Sequence, residues 1–156
     1  MKLSGIQIFI LRLAIGGLFL SLGLGKYHEG WLSNPELLKQ SLGNLHQKAS
    51  GPQLTYLDAV AIPHADIWSK LMTIGETAAG VSLLLGLLSR LSSSAAIFMV
   101  LNFHAATGNL FSLNFFGSPW AGLLLAGLLV VFLARGGRWG GVDALLAASS
   151  PKGVLW

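Results

Sequence analysis

The chain has 156 residues, 53% of them hydrophobic and 10% charged, with a formal net charge of +4. A water-soluble domain carries about a quarter charged residues, so the composition excludes that class and points to an integral membrane protein. The ten Lys and Arg stand singly, without a nucleic-acid footprint, and the absence of cysteine excludes disulfides, thiol catalysis and Cys-ligated zinc or iron–sulfur centres.

Residues 6–25 are the first expected span, about 30 Å at the helical rise. The stretch is long, contains Arg12 and lacks a small-residue cleavage pattern, so it reads as a retained helix and not as a signal peptide. Arg12 lies about two turns in; its side chain either snorkels to the near interface or faces the bundle interior.

Residues 26–66 form the long polar segment, expected to be the outer loop. Asn34-Pro35-Glu36 reads as an N-cap, a first-turn proline and a first-turn acid, followed by Leu37, Leu38, Leu42 and Leu45 at helical spacing up to Ser50-Gly51-Pro52. A second amphipathic piece is expected over 53–61, broken by Pro63. Both are expected to lie on the membrane surface.

The second span is expected at 68–88, with Trp68 and Lys70 at one interface and Arg90 at the other. Its one acid within the apolar run, Glu76, costs several kcal/mol in lipid unless protonated, paired or wetted. A third span is placed at 91–110, carrying Asn102 and His104, and a re-entrant or interfacial loop at 107–118. A fourth is placed at 119–134 with Trp120 at its mouth, and a short tail helix follows around 142–148. The fold class expected is therefore all-α: a four-transmembrane-helix bundle in a single membrane domain, 1–156, with short amphipathic helices in the first extramembrane loop.

Lys2, Arg90, Arg135, Arg138 and Lys152 fall in short segments on the side of the termini; Lys26, Lys39, Lys48 and Lys70 are diluted over the long loop. That bias predicts termini in the cytoplasm, with 26–66 facing out of a bacterial inner membrane.

Three motifs occur in order along these spans. The first is Arg12, Gly16, Gly23 and Lys26; the second is Gly75-Glu76, Gly80 and the run Leu85 to Arg90. The third is Gly137-Arg138-Trp139-Gly140-Gly141-Val142-Asp143-Ala144-Leu145-Leu146. Together they resemble the DoxX/DoxD-like membrane proteins, which include the DoxD subunit of thiosulfate:quinone oxidoreductase. The resemblance implies a membrane subunit of a redox-associated complex, acting at the quinone level, with other membrane subunits and lipids as partners and quinone as the cofactor or substrate to test. The alternative is a structural or assembly subunit without chemistry. A transporter is less favoured, because no span is visibly discontinuous.

Glu76 is the leading candidate for chemistry, as a proton acceptor or headgroup partner; its bland alternative is a paired carboxylate that serves packing. Arg12, Lys26, Glu76 and His104 are the candidates for a polar or substrate-binding pocket, with Arg12 and Glu76 expected to share it. Lys26 reads most simply as an interface anchor, and His104 as a helix-contact residue. His28, His46, His64 and His104 show no metal-ligand spacing, so no metal site is assigned. Gly23-Leu24-Gly25 and Gly136-Gly137 follow no strand and make no nucleotide fingerprint.

Overall fold

The computed structural model describes residues 4–118, 121–150 and 153, and for Asn114 the backbone alone. Among the described residues every regular element is helical: α1 (Gly5–His28), α2 (Glu36–His46), α3 (Gly51–Tyr56), α4 (Ala65–Leu85), α5 (Ser89–Ala106), α6 (Asn114–Gly117), α7 (Gly122–Leu133) and α8 (Val142–Ser149). Lys2, Pro119, Trp120 and Lys152, which entered the charge count and the mouth of the fourth span, lie outside the described residues.

α1 starts where Gln7 Oε1 accepts a hydrogen bond from the Ser4 N–H, 2.9 Å, one half of a capping box. It is the one described helix that is, by length and composition, long and apolar enough to cross a membrane. α4 has 21 residues and α5 18, but both carry polar side chains through their length; α7 is apolar but has only 12.

The expected boundaries shift for local reasons. α4 ends three residues early at Gly86, whose φ of 64° is left-handed; the Leu87 N–H then reaches back to Ser82 O at 2.9 Å, closing the last turn. The third span does not reach 110: α5 stops at Ala106, and Gly108, at φ 78°, turns the chain into a separate turn over Asn109–Phe111. Pro35 takes the cap position of α2, not the first helical one. α3 is followed by a wide turn, Leu57–Ala61, in which the Ile62 N–H bonds Leu57 O at 3.0 Å, five residues back.

α1 and α4 make the most extensive pairing, and α5 and α7 complete the bundle. A Cβ on Gly23 would strike Thr77, and one on Gly80 would strike the Leu20 backbone, so these two helices touch main chain to main chain. Phe19, Leu83, Ala96, Met99, Leu128 and Val131 form the main core. A second cluster, Leu38, Leu42, Leu57, Ala61 and Ala65, packs α2 and the wide turn onto the start of α4.

Burial is inverted relative to a soluble bundle. Ser69, Thr73, Glu76, Ser92, Ser93 and His104 are buried, whereas Ile67, Ile74, Leu85, Leu91, Phe98 and Leu133 are more than half exposed. Polar groups inside and apolar groups outside is the pattern of helices surrounded by hydrocarbon.

Candidate functional site

Lys26, in the last turn of α1, and Glu76, midway along α4, form an ion pair with Nζ to Oε2 2.6 Å apart; their side chains are 18% and 11% exposed. Fifty residues separate them in sequence. The geometry follows from the close α1–α4 packing: with Gly23 against Thr77, the next inward-facing position of α1 is brought beside Glu76. Lys26 Nζ also lies 5.7 Å from the centre of the Trp31 ring.

The pair forms part of the wall of a cavity of about 390 Å³. The floor is apolar, from Phe19, Met72, Met99 and Leu124; the roof is α2, through Leu38, Leu42 and Leu45; His104 closes a further side. His104 is buried and packs edge-to-face with the Phe103 and Phe115 rings, at 5.2 and 5.6 Å.

The roof is fastened by polar contacts outside the cavity. Lys39 of α2 reaches Asp66 of α4 at 3.3 Å and Glu36 at 2.8 Å, and these acids hold its ammonium above the ordinary lysine range. His46 Nε2 meets Asp58 Oδ1 at 2.8 Å. Behind the roof, the Tyr56 hydroxyl donates to Asn102 Oδ1 at 2.7 Å, and Gln53 Nε2 donates to Ala106 O at 3.0 Å. Burial pushes the Tyr56 phenol above its ordinary range.

Of the four residues expected in one pocket, Lys26, Glu76 and His104 line this cavity and Arg12 does not. The expectation that Arg12 and Glu76 share a pocket is corrected. α1 and α4 are antiparallel, and Arg12 lies level with Gly86, about 15 Å along α4 from Glu76. The fully buried guanidinium points from Nη2 at Trp139 O and Gly140 O, 3.5 and 3.4 Å away, with Asp143 supplying a nearby counter-charge. Neither bare snorkelling nor membership of the cavity describes it.

Asp143 anchors that other end. Its Oδ1 accepts from the Leu88 N–H at 2.6 Å, and its Oδ2 from the Ser89 N–H at 2.9 Å and the Ser89 hydroxyl at 2.7 Å. The Gly137 N–H in turn donates to Ser89 Oγ at 2.9 Å. The carboxylate thus caps α5 from a distant part of the chain and holds Leu88 in the left-handed region, φ 49°. In the sequence Asp143 stands out only as an acid one residue into an apolar tail helix, just after Gly140-Gly141.

Elsewhere, His64 Nδ1 lies 3.1 Å from Val60 O, and among the described residues no three His, Asp or Glu gather as a metal site.

Among the described residues the chain is all-helical, with one helix long and apolar enough to cross a membrane and a mostly buried charged pair inside a small helical bundle, the features of a membrane-associated helical-bundle protein. The chain belongs to the DoxX family, whose model matches residues 7–108, from the first turn of α1 to the end of α5. No curated protein and no solved structure matches it.

Proposed function

We propose that this DoxX-family protein is a four-span subunit of a redox-associated membrane complex that takes a quinone-class molecule into the cavity beneath α2. The carrying observation is the Lys26–Glu76 pair on the wall of a largely apolar cavity. At about 390 Å³ the cavity falls within the roughly 300–1,000 Å³ range of small-ligand sites, and a few polar groups in an apolar lining is their usual make-up. A quinone matches it with an apolar ring and two carbonyl acceptors; Lys26 has N–H donors left after serving Glu76.

The membrane reading extends to α4 and α5 through their outward apolar faces and inward polar ones, and to α7 through its wholly apolar sequence. Arg90, Arg135 and Arg138 follow the ends of α4 and α7, opposite the end that carries Lys26, α2 and α3. That asymmetry supports cytoplasmic termini in a bacterial inner membrane. The chain's lack of cysteine makes a direct check simple. Single Lys48→Cys and Arg135→Cys variants in intact cells should give labelling by an impermeant maleimide at 48 and none at 135; the reverse pattern inverts the topology.

Binding is tested by titrating the detergent-purified protein with decylubiquinone and following tryptophan fluorescence, with Trp31→Phe as the control for the cavity signal. Saturable quenching in the micromolar range, reduced in the Trp31→Phe variant, is expected. Linear, non-saturating quenching identical in both proteins removes the quinone assignment.

A second reading, a structural subunit without chemistry, is favoured by one observation: the pair satisfies its own charge and staples α1 to α4. On that reading, the Glu76→Gln variant leaves electron transfer of the isolated complex to quinone unchanged.

A further inference from the structure

The cavity beneath α2 has two charged groups on its lining, Lys26 and Glu76, and they are of opposite sign and in contact. A lysine alone in such an apolar chamber would be a receptor for any amphiphile with an anionic head, because a desolvated ammonium needs a counter-ion. Fatty-acid carboxylates would be the obvious occupants. Glu76 already fills that role, and an incoming carboxylate that approaches Lys26 meets the Glu76 charge at the same place. A neutral head meets no such repulsion. Its carbonyl accepts from the ammonium hydrogens that Glu76 leaves over, and its hydroxyl, if it has one, donates to the carboxylate.

We infer that Glu76 is a specificity-determining residue, a charge filter that turns carboxylate amphiphiles away from the cavity and leaves it to neutral heads bearing carbonyl or hydroxyl groups. The inference rests on the quinone-class reading of the same cavity and adds the rule by which the cavity selects. It also gives the pair a purpose that a packing staple lacks: neutralising the ammonium with a carboxylate, and not replacing both by leucines, keeps donors and acceptors available to a ligand.

The experiment compares decylubiquinone, oleate and dodecylamine by equilibrium binding to the full chain in nonionic detergent. The wild type is expected to prefer decylubiquinone to oleate by at least tenfold. Glu76→Gln is expected to gain at least tenfold in oleate affinity, and the gain to vanish in Glu76→Gln/Lys26→Met. The mirror variant Lys26→Gln is expected to gain dodecylamine and still refuse oleate, so the filter is tested even if one of the two single variants does not fold. Wild-type binding of oleate as tight as that of decylubiquinone overturns the inference, as does the absence of any gain in the variants that fold. If the wild type binds decylubiquinone and Glu76→Gln gains nothing, the filter falls and the quinone-class reading stands. If the wild type ignores decylubiquinone while Glu76→Gln gains oleate, the filter stands and the quinone-class reading falls.

Discussion

Asp143 and Ser89 are joined twice, the carboxylate accepting from both the backbone N–H and the hydroxyl of the serine at 2.9 and 2.7 Å. Both residues are fully buried. Removing the carboxylate leaves two helix-terminal N–H groups and the Ser89 hydroxyl without their acceptor, and the Arg12 guanidinium without its nearby counter-charge. Asp143→Ala should therefore cost about 3 kcal/mol, the scale of a broken buried charged pair. At about 2–4 °C per kcal/mol for a chain of this size, the melting temperature in detergent should fall by roughly 6–12 °C. Asp143→Asn, which keeps one acceptor, should lose about half as much.

The Lys26–Glu76 contact predicts strong non-additivity. Lys26→Met or Glu76→Gln alone leaves a buried partner unsatisfied, at about 3 kcal/mol each, whereas the double variant leaves none. The coupling from a double-mutant cycle of melting curves should exceed about 1.5 kcal/mol. Arg12→Leu combined with Glu76→Gln should instead be additive within about 0.5 kcal/mol, since the two sites are separate.

Packing of α1 on α4 is tested with glycines. Gly80→Leu drives a side chain into the Leu20 backbone and should abolish the monodisperse folded peak in size-exclusion chromatography. Gly17→Leu, where a Cβ meets nothing, should leave the peak and change stability by less than about 1 kcal/mol.

The Tyr56 phenol sets an alkaline limit. Its affinity for its proton is raised by burial in the folded state, so its contribution is fully present below the unfolded value, near 10.0, and is lost as pH rises above it. Lys39, also raised, acts in the same direction. The stability of the wild type should drop more steeply above pH 10 than that of Tyr56→Phe, which at neutral pH loses only the Asn102 hydrogen bond, about 1 kcal/mol. Parallel pH curves for the two proteins would assign the alkaline loss elsewhere.

What the sequence made legible was local. Ser50-Gly51-Pro52 closes the α2 pattern and opens α3, and Pro63 precedes α4, each because a backbone rule acts within a few residues, whereas the apolar pattern reads through the stop of α4 at Gly86 as part of a longer span. The candidates Lys26, Glu76 and His104 were readable as rare polar groups in apolar stretches. Their meeting was not, because it depends on the register of α1 against α4, which glycines set through backbone contact and not through any periodic pattern. Arg12 was misplaced for a related reason. Its partners Trp139 O and Gly140 O are main-chain carbonyls, which carry no residue signature, and depth counted from each helix start ignored the antiparallel offset. The wide turn over Leu57–Ala61 is equally silent in sequence, being one extra residue in an otherwise ordinary amphipathic piece.

The reach of Arg12 to Trp139 spans 127 positions, and this has a bearing on biosynthesis. A ribosome adding roughly 5–20 residues per second emits the carbonyl acceptors on the order of 10 s after the guanidinium. Throughout that interval the nascent first helix carries a naked cation that belongs at the headgroups or beside the insertion machinery. Its inward docking is thus among the closing steps of assembly, and truncations before Trp139 should strand the amino-terminal helix in a shallow, protease-accessible state.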